Sequence, residues 1–231
     1  MTGTVGLLTL SVIVFVGSHF LLSAPPVRRP LVRAMGEWPF IGFYSLVALG
    51  LFGWMLLAYA AAPFIPVWDP PTALRHLSLT VMVFACILVV AGLSTPNPSV
   101  VWMDGDAIAG KSPVGILKVT RHPMMWGVGL WSLTHLLANG DAGGIILFGG
   151  MAVLSFGGAA AIDIKKRVLL GDAWARYCAK TSYVPFGAIV RGRARVGLRE
   201  IGYWRLVLGI VLYVVLLVGH AALFGVDPWP L

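Results

Sequence analysis

Hydrophobic residues run along this chain in long stretches, and most polar residues are gathered between them. Six stretches are long enough to cross about 30 Å of hydrocarbon as helices that rise 1.5 Å per residue. We therefore predict an all-α fold, a bundle of six transmembrane helices that forms one domain over residues 1–231. The predicted spans are about 4–23, 38–62, 73–93, 119–138, 142–163 and 204–224.

The connections between these spans are short, except for residues 94–118 and 164–203. Asn139-Gly140-Asp141 has the composition of a tight turn and predicts a helical hairpin between the fourth and fifth spans. Asp104-Gly105-Asp106 is also interpreted as a turn, because two carboxylates without the rest of a calcium-loop pattern are far more often a turn than a calcium site. The first span has no basic region before it and no cleavage signature, which predicts a retained span.

The composition supports a membrane protein and excludes a soluble one. Hydrophobic residues make up 58% of the chain and charged residues 11%, and the mean hydropathy is +0.88. Soluble domains are usually about a quarter charged. The chain is therefore predicted to be a polytopic protein whose main partner is the lipid bilayer.

The net charge is +8, and the positions of the basic residues set the predicted orientation. All lysine and arginine residues except Arg75 follow the first, third or fifth span. The positive-inside rule then places both termini outside and loop 164–203 in the cytoplasm, against anionic headgroups. A bacterial inner membrane is the expected location. This placement of charge favours a topological role over nucleic-acid binding.

The two cysteines predict neither a disulfide nor a metal site. Cys86 lies in a span and Cys178 in the cytoplasmic loop, so neither is expected to meet an oxidising compartment. Two isolated cysteines also lack the spacing of a metal site.

Histidine is the unusual polar residue of the predicted spans. A single intramembrane histidine is readily explained by an interhelical hydrogen bond, but five histidines without a matching set of carboxylates favour a cofactor. Histidines among Trp, Phe, Met and Gly suit haem held by axial imidazoles. Most glycines of the fourth and fifth spans are interpreted as helix-packing positions. The histidines are His19, His76, His122, His135 and His220.

Several motifs resemble the NnrU family, and together they cover nearly the whole chain. Gly17-Ser18-His19 lies in the first span, and Lys118-Val-Thr-Arg-His-Pro123 opens the fourth. Trp131-Ser-Leu-Thr-His-Leu-Leu-Ala-Asn-Gly140 follows. The cytoplasmic loop adds Lys166-Arg-Val-Leu-Leu-Gly-Asp-Ala-Trp-Ala-Arg-Tyr177, then Thr181-Ser182 and Pro185-Phe186.

This resemblance implies a haem b protein. The family includes bacterial proteins linked to nitrite and nitric oxide reduction, and the 15-cis-zeta-carotene isomerases, which are haem b membrane enzymes. Their axial histidines match His19 and His135, and the lack of a CxxCH motif indicates non-covalent attachment. Ser132 replaces the isomerase cysteine that is implicated in ligand switching, so that redox chemistry does not carry over.

Depth in the membrane favours other histidine pairs. His19 is expected near the cytoplasmic end of its span and His135 near the outer end of its own, an offset of about 15 Å at 1.5 Å per residue. By depth alone, His19 pairs with His122, and His135 with His220 or His76. These pairs remain alternatives to the pair implied by the resemblance.

The histidines and the motif resemblances together give three candidate functions. The preferred one is a redox or gas-responsive haem protein of nitrogen-oxide metabolism, and the first alternative is a haem-dependent cis–trans isomerase of a polyene. Arg121, His122 and Pro123 also resemble S-adenosylmethionine-dependent membrane methyltransferases of the isoprenylcysteine type, with a cytoplasmic site at Arg121 and His122. Against this second alternative, the region after the fifth span has one carboxylate, Asp163, which is expected to pair with nearby bases rather than bind a cofactor.

Overall fold

The computed structural model describes residues 3–98 and 111–229, and the predicted turn at 104–106 lies outside them. The described residues form helices joined by short connections, and the all-α prediction is confirmed. The helices are α1 Val5–Ser23, α2 Pro25–Met35, α3 Glu37–Ala61, α4 Thr72–Ser94, α5 Ile116–Val119, α6 Pro123–Asn139, α7 Ala142–Ala152, a π-helical turn Val153–Gly157, α8 Gly158–Leu170, α9 Asp172–Ala179, α10 Gly187–Val190, α11 Leu198–Ile201 and α12 Tyr203–Phe224.

Five helical stretches of the described residues are long and apolar enough to cross a membrane: α1, α3, α4, α12 and the continuous run Ala142–Leu170. This count is close to the six predicted spans. The run from Ala142 extends seven residues beyond the predicted end at 163 and stops at Gly171, which has a φ of 49°.

The fourth predicted span, 119–138, is a shorter helix than expected. Thr120 is extended, with φ −152° and ψ 147°, and α6 begins only at Pro123. A proline disfavours the helical conformation in the residue before it and is well suited to the first helical turn. The residues from Thr120 to His122 therefore leave the helix and become available for other contacts.

The chain divides into two compact units, and the first comprises residues 1–70 and 135–154. Within it, α1 packs against both α3 and α7. A side chain at Gly150 would collide with Val12, so this glycine allows close approach of α7 to α1. The turn before α7 is built as predicted: Gly140 has a φ of 68°, and Asp141 caps the helix by accepting from the Gly144 N–H at 2.9 Å.

The second unit comprises residues 71–134 and 155–231. Its α4 packs against α12, where a Cβ at Gly209 would lie 2.6 Å from the Ile87 Cα. On α6, a Cβ at Gly127 would lie 2.8 Å from the Ala85 carbonyl oxygen. Gly127 and Gly209 thus let helices approach at backbone distance, which is a common packing mode of membrane helices. The interpretation of Gly127 and Gly150 as packing positions is confirmed.

Candidate functional sites

The most polar buried cluster of the second unit is centred on the Asp163 carboxylate. Arg121 Nε donates to its two oxygens at 2.9 and 3.0 Å, and a second Arg121 nitrogen also bonds to Oδ2. On the other side, His122 Nε2 lies 2.8 Å from Oδ1. Two adjacent residues at the start of α6 therefore share one carboxylate of α8. The expected ion pairing of Asp163 is confirmed, but its partners are Arg121 and His122 rather than the bases that follow it.

Backbone bonds hold Arg121 and His122 in place. The Arg121 N–H donates to the Ser182 carbonyl at 3.0 Å, and the Phe186 N–H donates to the Val119 carbonyl at 2.8 Å. Thr120 adds a bond from its hydroxyl to the Tyr183 carbonyl at 2.7 Å. The extended segment before Pro123 is thus clamped against the loop at 182–186, which explains why the helix could not begin earlier.

Tyr183 closes this cluster and was not singled out from the sequence. Its ring lies 5.7 Å from the His122 ring and 5.9 Å from the Arg121 guanidinium carbon. Its hydroxyl donates to the Phe156 carbonyl at 2.6 Å, inside the π-helical turn. A π-helical turn often marks a functional position because it changes which carbonyls are paired within the helix. The only sequence signal was the location of Tyr183 between the family motifs Thr181-Ser182 and Pro185-Phe186.

The burial of this cluster limits what it can do chemically. His122 is 1% exposed, and its Nε2 is engaged by Asp163. A carboxylate that binds both a guanidinium and an imidazole neutralises charge that would otherwise be costly to bury. A structural ion-pair network explains the arrangement directly, and it does not offer His122 Nε2 as a ligand for iron.

The second candidate site lies in the first unit and includes His19. The His19 Nδ1 lies 2.8 Å from the Phe15 carbonyl oxygen. A carbonyl can only accept, so Nδ1 carries the hydrogen and a neutral ring has its lone pair on Nε2. The ring is framed by Phe15 at 4.5 Å and by Tyr44 of α3 at 5.6 Å between centroids. The His19 Nδ1–H thus donates to a backbone carbonyl, as the free N–H of a histidine that binds a metal through Nε2 commonly does.

His135 lies in the same unit, near the end of α6. Its ring lies 5.1 Å from that of Phe148 on α7, which in turn lies 6.3 Å from the Tyr59 ring on α3. Asn139 donates to the His135 carbonyl at 2.6 Å and so closes the last helical turn. His135 thus has one aromatic ring of α7 beside it, and that ring packs in turn against a ring of α3.

Helix register within the first unit limits the depth offset between His19 and His135. Leu8 lies near Gly143, and Val12 and Val16 lie near Gly150, so α1 and α7 run in the same direction. Phe148, which contacts His135, precedes Gly150 by two residues. His19 follows Val16 by three residues and Val12 by seven, so its offset from His135 is roughly five to nine residues, or about 7–14 Å at 1.5 Å per residue.

Of the other histidines, His220 has surroundings similar to those of His19. His220 Nδ1 lies 2.8 Å from the Val226 carbonyl, and its ring lies 4.9 Å from that of Phe224. His76 is exposed. His76, His122 and His220 belong to the second unit, whereas His19 and His135 share the first. Each of the depth-based pairs therefore combines histidines of different units.

Cys86 and Cys178 are both free thiols. Burial raises the pKa of the Cys178 thiol, and Arg121 opposes this shift without reversing it. A thiol with a raised pKa is less reactive as a nucleophile or metal ligand. Over residues 3–98 and 111–229, no three His, Cys, Asp or Glu side chains come together as a metal-ion cluster.

A bundle of apolar spanning helices with a buried ion-pair network and histidines framed by aromatic rings defines a polytopic helical membrane protein. The family described as NnrU protein matches residues 7–228, so the chain belongs to the NnrU family. The resemblance deduced from the motifs is confirmed.

One curated relative adds a more specific comparison. The chain is 33% identical over 82 residues to the chloroplastic 15-cis-zeta-carotene isomerase of Zea mays. The matched region covers 36% of this chain and 22% of the maize protein, so the chain spans only about a fifth of that relative. No solved structure is significantly similar to the chain.

Proposed function

We propose that this protein binds haem b non-covalently through His19 and His135 and acts as a redox or gas-responsive membrane protein of nitrogen-oxide metabolism in the bacterial inner membrane. The observation that supports this proposal best is the hydrogen bond from His19 Nδ1–H to the Phe15 carbonyl. It orients the ring and leaves Nε2 as the nitrogen able to bind iron. Haem supplies an iron that exchanges one electron and binds small gases.

The surroundings of both histidines fit a flat apolar cofactor. Phe15 and Tyr44 lie beside His19, and Phe15 packs in turn against Phe52 at 5.7 Å between centroids. Phe148 lies beside His135. Aromatic rings exclude water and stack against a planar macrocycle, which lowers the local dielectric and thereby tunes a redox potential. His19 and His135 would be the residues that hold the haem, and both belong to the same unit.

A second candidate function is cis–trans isomerisation of a polyene, and the similarity to the maize isomerase favours it. In this case the exposed apolar surfaces of α1 and α3 would admit a long apolar substrate directly from the lipid. Leu46 and Leu49 of α3 are 73% and 68% exposed, so this face of the first unit would contact lipid directly. This role also requires the haem, so both candidates share one first experiment.

The visible absorption spectrum of protein purified from haem-replete cells tests the proposal. We expect a Soret band of a six-coordinate, low-spin haem, with about one haem per chain by the pyridine haemochrome assay. Colourless protein that is folded and monodisperse would contradict haem binding. Binding of S-adenosylmethionine to such colourless protein would favour the methyltransferase alternative at Arg121 and His122.

Two further assays separate the two haem functions. Conversion of 15-cis-zeta-carotene in proteoliposomes would favour the isomerase. A spectral shift of the reduced protein on addition of nitric oxide, without such conversion, would favour the gas-responsive role.

A further inference from the structure

Helix α2 connects two membrane-spanning helices and therefore lies at a membrane surface. It begins two residues after α1 ends at Ser23 and stops two residues before α3 starts at Glu37. Within the first unit it packs against both helices, yet none of its residues is buried. A short helix held at the ends of two spans lies at the depth of the lipid headgroups.

The arginines of α2 fall into two groups. Arg28 forms an ion pair with Glu37, and its guanidinium carbon lies 5.3 Å from the centre of the Phe40 ring. Arg29 and Arg33 are exposed and four residues apart, so they lie on one face of the helix. Among residues 3–98 and 111–229, neither Arg29 nor Arg33 has an ion-pair partner. This face therefore carries two positive charges that the unit does not neutralise.

The same face forms an open groove of about 280 Å³, lined by Pro25, Pro26, Arg29, Pro30 and Arg33. Proline rings are rigid and offer no N–H group, so polar recognition in this groove depends on the two guanidinium groups. One guanidinium group can bind two phosphate oxygens at once through two N–H groups. It is also less strongly hydrated than a lysine ammonium group. The groove thus has the chemistry of a phosphate site with apolar walls.

We propose that this Arg29–Arg33 groove binds the phosphate of an anionic phospholipid. Free phosphate shares the charge but lacks acyl chains, and exposed apolar side chains that could contact acyl chains flank α2 along the chain. Leu21 at the end of α1 is 59% exposed, and Trp38 at the start of α3 is 73% exposed. A lipid with its phosphate between the two arginines can lay its chains along these side chains. The groove would thus bind an anionic lipid at one defined site, whereas basic loops are attracted to the anionic membrane surface as a whole.

Native mass spectrometry of the full chain in neutral detergent tests this proposal, with phosphatidylglycerol and phosphatidylcholine as probes. For the wild type we expect at least tenfold tighter binding of the first phosphatidylglycerol molecule than of phosphatidylcholine. The R29Q/R33Q variant should lose at least 80% of this preference. The R29K/R33K variant should lose part of it, because lysine keeps the charge without the planar fork.

The matched control is R191Q/R195Q, which removes two exposed arginines outside α2 and should retain the preference within twofold. Equal losses in both glutamine variants would overturn the proposal, since they would indicate non-specific charge attraction. Displacement of the lipid by inorganic phosphate at equal concentration would also overturn it, because the acyl chains would then contribute nothing. Should R29Q/R33Q not purify as monodisperse protein, R29Q and R33Q alone provide the test, each with an expected loss of at least threefold.

Discussion

The imidazole of His122 lies 2.8 Å from the carboxylate of Asp163, although 41 residues separate them. The same carboxylate binds Arg121, so a helix start and the middle of another helix are joined by one buried ion-pair network. His122 directly precedes Pro123, where α6 begins instead of at the predicted residue 119. The network therefore ties the segment just before α6 to α8.

We expect D163N to destabilise the protein by about 3 kcal/mol, because removal of the carboxylate leaves the largely buried Arg121 guanidinium without its counter-charge. Thermal unfolding in detergent measures this effect. The control D172N changes an exposed carboxylate at the start of α9 and should cost well under 1 kcal/mol. Haem content per folded chain should be unchanged in D163N. Loss of the haem from a folded D163N protein would argue that Asp163 belongs to the cofactor site.

Y183F removes one hydroxyl and should lower the free energy of unfolding by about 1–2 kcal/mol. The Phe156 carbonyl in the π-helical turn would then lose the donor that lies 2.6 Å away, and an unpaired buried acceptor is costly. Chemical or thermal unfolding provides the measurement. Tyr203 is 61% exposed, so Y203F serves as a control and should be nearly neutral. Equal stability of Y183F and the wild type would indicate that the turn does not depend on this bond.

G209A should lower the stability by about 1–3 kcal/mol, because its new methyl group would lie 2.6 Å from the Ile87 Cα and force α12 away from α4. G50A adds the same methyl group where nothing lies within 4 Å. This control should be neutral or slightly stabilising, since alanine favours helices over glycine by about 1 kcal/mol. A similar loss in both variants would argue against close packing at Gly209.

H135A should lower the haem content or convert a six-coordinate low-spin spectrum into a high-spin one, with partial recovery on addition of imidazole. H19A should act in the same way, because both histidines are proposed to bind the iron axially. H76A changes an exposed histidine of the other unit and should leave the spectrum unchanged. A normal spectrum in H135A would place the haem elsewhere, and H220A would then identify the alternative ligand.

The predicted orientation can be tested with a membrane-impermeant thiol reagent in intact cells. A C178S background removes the partly exposed native thiol. R195C in this background should react only after permeabilisation, because loop 164–203 is predicted to be cytoplasmic. F64C, at a 75% exposed position between α3 and α4, should react from outside. Reaction of R195C in intact cells would reverse the topology.

The sequence by itself determined the class of this protein and most of its helices. Hydrophobic stretches of spanning length have few other stable solutions, since backbone polar groups in lipid must be satisfied within a helix. Local signals were also reliable at Asn139-Gly140-Asp141, where a glycine with positive φ and a capping carboxylate form the turn. The family was recognisable because its motifs are contiguous in sequence.

Only the tertiary structure decided which polar residues meet. Asp163 was expected to pair with the bases beside it, yet it bonds to residues more than 40 positions away. The start of α6 also moved from residue 119 to Pro123, because Val119–Arg121 pairs with the loop around Tyr183. Hydropathy reports the free energy of placing each residue in lipid, whereas these contacts depend on helix register and rotation. Close approach at Gly127, Gly150 and Gly209 sets that register, and no local pattern of the sequence encodes it.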